Sequence, residues 1–142
     1  MRLNWAAVAL AAIVHWLFGA VWFTAFAKPW QAGLRMAPDE LQQYMNHPNF
    51  WPYLISFVCN LVIAYVIARV LGKHEEYGLF RGIGVGILIG MAAALAMVTA
   101  MAFEQRPAPF MLISAGYPLI GCTLMGIVLG VWKPKAKVVV TA

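Results

Sequence analysis

Four stretches of the chain, residues 3–27, 53–72, 79–103 and 109–132, are apolar with only sparse polar interruptions. Each holds about 20 or more residues, enough to cross a hydrocarbon core of about 30 Å as an α-helix. Only helices or closed barrels satisfy every backbone polar group in lipid. Strict alternation of polar and apolar positions is absent, so helices are the solution here. The pattern predicts an all-α integral membrane protein: a four-transmembrane-helix bundle forming a single membrane domain over residues 1–142.

The segment between the first two stretches has a different pattern. In "APDELQQYMNHP", Pro38 suits a first helical turn, and Asp39 and Glu40 complement a helix N-terminus. Leu41, Tyr44 and Met45 share one face. A short amphipathic surface helix is therefore expected in the first outer loop, closed by His47-Pro48. The connections near 73–78 and 104–108 are short, so consecutive spans should pack as antiparallel hairpins.

Composition strengthens the membrane reading. Of 142 residues, 63% are hydrophobic and only 11% charged, and mean hydropathy is +0.79. A soluble domain of this size needs a far larger polar surface. "AFA" at 25–27 resembles a signal-peptidase site, but the apolar run before it is longer than a signal core and carries Trp16 and Trp22. The first span is expected to be retained.

The net charge of +5 reads mainly as topology. Arg2, Arg69, Lys73, Arg81, Lys133, Lys135 and Lys137 fall on the side of the termini, against Lys28, Arg35 and Arg106 on the other. The positive-inside rule then places both termini in the cytoplasm. Trp30, Trp51, Tyr53 and Trp132 mark the membrane edges, and "KPKAK" near the C-terminus reads as a solvated stop-transfer tail. The lipid bilayer is the expected partner. No clustered basic surface remains for nucleic acid.

Small residues recur on helical stripes. Gly78, Gly82, Gly86, Gly90 and Ala94 repeat every fourth residue in the third span, and Cys122, Gly126 and Gly130 repeat likewise in the fourth. Such stripes let helix backbones approach closely in lipid, where the hydrophobic drive for association is weak. The partner is either another helix of this chain or a second subunit. Pro118 should bend the fourth span. Cys59 and Cys122 lie at depths about 10 Å apart, too far for a disulfide, and read as small packing residues. "LIS" at 54–56 and 112–114, with "VLG" at 70–72 and 128–130, share an offset of 58 residues that a duplicated helix hairpin would produce.

Two polar constellations carry the candidate chemistry. Ala7, Ala11, His15 and Gly19 fall at fourfold spacing, which aims His15 at another helix near the bilayer midplane, about 18 Å in. Asn60, Tyr65 and Thr123 lie at comparable depth on the other spans. An ionisable group there is either a neutral imidazole bonded across an interface or a handler of protons or ligands. The second constellation is "FEQRP", residues 103–107. Glu104 and Arg106 are two apart and do not face each other on a regular helix, so Glu104 is expected to seek another partner such as Lys28. No catalytic motif is present. His15, His47 and His74 fall at three different levels, so neither a metal site nor a cofactor is expected.

"LFGAVWFTAFAKPW", "PDEL" and "AFEQRPAPFMLISAGYPLIGCTLMGIVLGVW" resemble a family of small bacterial four-helix membrane proteins known as domain of unknown function 1761. The landmarks are Gly19, Trp22, Lys28 and Trp30 around the first loop, and Glu104, Arg106 and Pro107 after the third span. The family pattern has "LWY" where this chain has "VWF", and His15 is not among its landmarks. The resemblance implies a multi-pass protein of the bacterial cytoplasmic (inner) membrane and draws interest to Trp22, Lys28, Trp30, Glu104 and Arg106 at the outer end. It implies no activity. Two functions stay open at this point. One is a helix-packing or accessory component, as a homo-oligomer or with other membrane proteins through Gly19, Gly82, Gly86, Gly90, Gly126 and Gly130. The other is binding or translocation of a small solute or proton through the bundle.

Overall fold

The computed structural model describes residues 3–73 and 78–132, and all regular structure among them is helical. The helices are α1 (Trp5–Ala25), α2 (Ala27–Ala32), α3 (Pro38–Asn46), α4 (Phe50–Leu71), α5 (Leu79–Phe103) and α6 (Ala108–Val131). Four of them, α1, α4, α5 and α6, are long and apolar enough to cross a membrane. Arg2, His74, Lys133, Lys135 and Lys137 lie outside the described residues.

Local chemistry sets the boundaries. Asn4 accepts from the Ala7 N–H at 3.2 Å, capping α1, and Asn49 accepts from the Trp51 N–H at 3.1 Å, capping α4. Pro38 opens α3, whose Glu40 carboxylate accepts from the Ala37 N–H at 3.2 Å. None of the α3 residues is buried, in keeping with the surface helix expected there. At the end of α5 the Gln105 N–H bonds Ala102 O and the Arg106 N–H bonds Met101 O, both at 3.0 Å. That pair of bonds is a Schellman motif, and it requires Gln105 at φ 54°. Pro107 follows and starts α6.

The spans run alternately, so one end of the bundle gathers Ala25, Phe50, Phe103 and Ala108 (the loop end), and the other gathers Trp5, Leu71, Leu79 and Val131 (the terminal end). α6 is the hub. It packs along α5 and also meets α1, α4 and α2, while α1 packs on α4. The glycine stripe of α5 faces α6 of the same chain. A Cβ on Gly82 would lie 2.1 Å from Gly126 O, one on Gly86 2.4 Å from Cys122 O, and one on Gly90 2.8 Å from Pro118 O. Gly130 lies equally close to Gly78. Only glycine permits this backbone contact, and it makes α5–α6 the most intimate pair in the fold.

Packing is uneven along the membrane normal. The core cluster of Ala7, Val8, Ala11, Ala64, Ile67, Leu71, Met125 and Leu129 fills the terminal half. In the loop half, the six residues Phe50–Ile55 are all exposed, and Trp16 of α1 reaches them through Nε1, which donates to Tyr53 O at 3.3 Å. Cys59, expected as a packing residue, faces outward, and only Cys122 is buried; both thiols are free. The helix rotates Cys59 to lipid because Asn60, one position on, takes the inward direction.

Candidate functional site

His15 stands ten residues from either end of α1, about 15 Å deep on a rise of 1.5 Å per residue. It is 1% exposed. Its place is made by Gly121 of α6, where a Cβ would fall 2.1 Å from the imidazole Nε2. The ring lies 4.6 Å from that of Tyr117, centroid to centroid, tilted by 42°. Tyr117 in turn sits over Gly19, whose Cβ position is 3.0 Å from its ring. Its hydroxyl lies near the side chains of Asn60 and Ser56 on α4. One aromatic residue thus joins the three helices that carry polar groups at this depth.

The site is under-satisfied. Both imidazole nitrogens of His15 and the Asn60 Nδ2 are buried without a hydrogen-bond partner in the protein. Each such group costs about 1–3 kcal/mol relative to a bonded one. Asn60 is 4% exposed. Ser56 and Tyr117 are only partly covered, so burial within the protein falls from His15 toward the loop end. Toward the terminal end it abuts the apolar core of Ala11, Ala64 and Met125.

Two of the residues expected around His15 are not in this group. Tyr65 points outward at 36% exposure and stacks on Trp5, with ring centroids 5.9 Å apart. It lies five residues beyond Asn60, half a turn away from the inward face. Thr123 sits beside α5 and returns its hydroxyl to Leu119 O at 2.8 Å. Tyr117, Ser56 and Gly121 were not singled out from the sequence. A count of depth along the fourth span would reach Tyr117, which is nine residues from Ala108, as readily as Thr123.

The loop-end group is built separately. Trp22 lies over Gly116 and donates from Nε1 to Ile113 O at 2.9 Å, close to where Pro118 removes a bond from the α6 ladder. Trp30 stacks on Phe110 at 6.3 Å, and Gly33 leaves room for that same Phe110 ring. Arg106 donates from Nη1 to Gly33 O and Leu34 O, each at 3.1 Å, and lies over the Phe110 ring at 5.5 Å. Arg35 donates in the opposite sense, from Nη2 to Gln105 O. Arg35 and Gln105 are the two non-glycine residues with positive φ among the described residues, at 56° and 54°. The reciprocal pair of arginines clamps the α2–α3 connection onto the α5–α6 turn.

Here the expectation for Glu104 is corrected. Glu104 pairs with Arg106, Oε2 to Nε at 2.9 Å, and not with Lys28, which is exposed. The two-residue spacing forbids such a pair on a helix, but the left-handed turn at Gln105 ends the helix between them. With Glu104 side-chain exposure at 56%, the ion pair itself adds less than about 1 kcal/mol. The carbonyl bonds of Arg106 are the structural part. Between the clamp and His15 stand the rings of Phe18, Trp22 and Phe23, the first and last of which also contact Tyr117. No group of three or more His, Cys, Asp or Glu side chains suited to a metal occurs among the described residues.

The family profile described as protein of unknown function (DUF1761) matches residues 6–130, from the second residue of α1 almost to the end of α6. The chain belongs to the DUF1761 family. The match takes in all four apolar helices, the clamp and the central cluster, so both constellations lie within the family's unit. No curated protein and no solved structure matches the chain.

Proposed function

We propose that this multi-pass membrane protein binds a small hydrogen-bonding solute or a proton at the centre of its bundle, reached from the loop end. One observation carries the reading: His15 Nδ1, His15 Nε2 and Asn60 Nδ2 are buried without partners where α1, α4 and α6 meet. Polar atoms in lipid are costly and mark function by default. The partly exposed Ser56 and Tyr117, on the loop-end side of Asn60 and His15, support approach from that end. The apolar core beyond His15 supports binding from one side over open flow through the bundle. The distribution of basic residues supports cytoplasmic termini, which would turn the loop end outward, and the family resemblance supports a bacterial inner membrane. The α5 stripe that motivated a homo-oligomeric or accessory role faces α6, so it lends that role no surface.

Cysteine accessibility tests the reading. In a Cys59→Ala, Cys122→Ala background in proteoliposomes, Asn60→Cys should react with a small methanethiosulfonate reagent applied from the loop side. Ala64→Cys, one turn deeper in the apolar core, should stay inert. Equal inertness of both positions refutes the proposal.

A further inference from the structure

We infer that the loop half of α4 is a gate over the central site, latched shut by Trp16 of α1, an inference that rests on reading the centre as a solute site. His15 and Asn60 are 1% and 4% exposed, so a solute reaches them only when a helix moves. The packing singles out α4. Its rivals are fixed: α5 is locked to α6 backbone to backbone from Gly82 to Gly90. α1 is seated on α6 through His15 against Gly121 and Tyr117 against Gly19.

α4 is anchored at one end and lightly held at the other. In the terminal half, Ala64, Ile67, Ala68 and Leu71 are buried in the apolar core, and Tyr65 stacks on Trp5. Loopward of Asn60, no residue of α4 is buried. Aromatic side chains hold this half. Trp16 reaches across from α1, its Nε1 donating to Tyr53 O at 3.3 Å and its ring meeting Phe57 edge-on at 6.1 Å. From α6, the Tyr117 hydroxyl lies near Ser56 and Asn60. The covalent link adds little restraint. α3, which leads into α4, has no buried residue and meets α2 through Met45 Sδ and Gln31 Nε2 at 3.6 Å.

The latch is weak by its chemistry. Its bond is longer than the usual N–H···O distance of about 2.9–3.0 Å. Tyr53 O also serves the α4 ladder, where it accepts from the N–H four residues on, that of Phe57. Release therefore strands no backbone acceptor, and a stranded group is the costly outcome. The freed indole N–H is left at the mouth of the opening, where an entering polar solute accepts from it. Trp16 adjoins His15 in sequence, so the residue that closes the α1–α4 seam sits one position from the site. From Ala64 to Phe50 the lever is about 21 Å long, and a tilt of about 10° carries its tip about 4 Å. The opening is a wedge, widest at the loop end and narrowing onto Asn60.

The test places pairs of spin labels on the full chain, in a Cys59→Ala, Cys122→Ala background in lipid nanodiscs, and reads distances by double electron–electron resonance. Leu54→Cys with Leu112→Cys spans α4 and α6 near the loop end, and Val66→Cys with Val131→Cys spans them toward the terminal end; all four residues are exposed. Trp16→Phe keeps a ring against Phe57 and removes the N–H. It should add a population about 3 Å longer in the first pair and leave the second unchanged, and Trp16→Ala should enlarge that population. Asn60→Cys, treated with the thiol reagent from the loop side, should react about two- to tenfold faster with Trp16→Phe, the range that one lost hydrogen bond gives. Identical loop-end distances with and without the indole overturn the latch. So does equal lengthening of both pairs, which is general loosening. Loop-end lengthening with a finite but unchanged thiol rate overturns the gate and leaves the solute site standing. Lengthening with Asn60→Cys inert in every background does the reverse: α4 moves, and the solute-site reading fails.

Discussion

Replacing Gly82 by alanine adds one methyl group at the crossing of α5 and α6. That methyl carbon would lie 2.1 Å from Gly126 O, where ordinary contacts begin near 3.4 Å. The contact is backbone to backbone, so no side chain can rotate away, and the helices must separate by about 1 Å. A radial gap of 0.5–1 Å forfeits roughly a quarter to a half of the dispersion energy of the atoms involved. Overpacking of this kind costs about 1–3 kcal/mol. Alanine returns up to about 1 kcal/mol through its higher helix propensity. Gly84 is the internal control, because nothing lies within 4 Å of its Cβ position. Gly84→Ala should keep the propensity gain and incur no clash. The propensity gain is common to both, so the two variants should differ by the clash alone, about 1–3 kcal/mol, which is roughly five- to 150-fold in the folding equilibrium. Reversible unfolding in mixed micelles, titrated with dodecyl sulfate and followed by circular dichroism, measures this difference. If Gly82→Ala is as stable as Gly84→Ala, the glycine contacts do not set the α5–α6 distance and the packing argument is wrong.

Gln105 holds the left-handed position of the Schellman motif at φ 54°, so Gln105→Gly should raise stability by about 1 kcal/mol, visible as a higher midpoint in the same unfolding titration. Arg106→Lys keeps the charge but not the planar fork that reaches Gly33 O and Leu34 O together. Amide hydrogen exchange over residues 27–35 should quicken about tenfold in that variant while α4 is unaffected, and unchanged exchange would show that the clamp does not hold α2.

Much of the architecture was legible along the chain because it follows from local periodicity. Twenty apolar residues in a row can satisfy their backbone in lipid only as a helix, and the observed spans agree with the expected ones to within about three residues. The spacing of Gly82, Gly86 and Gly90 puts them on one stripe whatever they face, and counting residues places His15 near mid-depth. The identity of the neighbour is a different kind of fact. That α6 fills the α5 stripe, that Tyr117 bridges His15 to Asn60, and that Tyr65 turns away to Trp5 depend on how four cylinders are rotated against one another. Every apolar helix in lipid has several faces of similar hydrophobicity, so no stripe names its partner. Nor did the spacing of Glu104 and Arg106 reveal their ion pair, since it forms only through a left-handed residue that Gln105 gives no compositional reason to expect. The helices and their depths belong to the sequence by itself; the central polar site exists only because the tertiary packing turned three of them to face each other at one level.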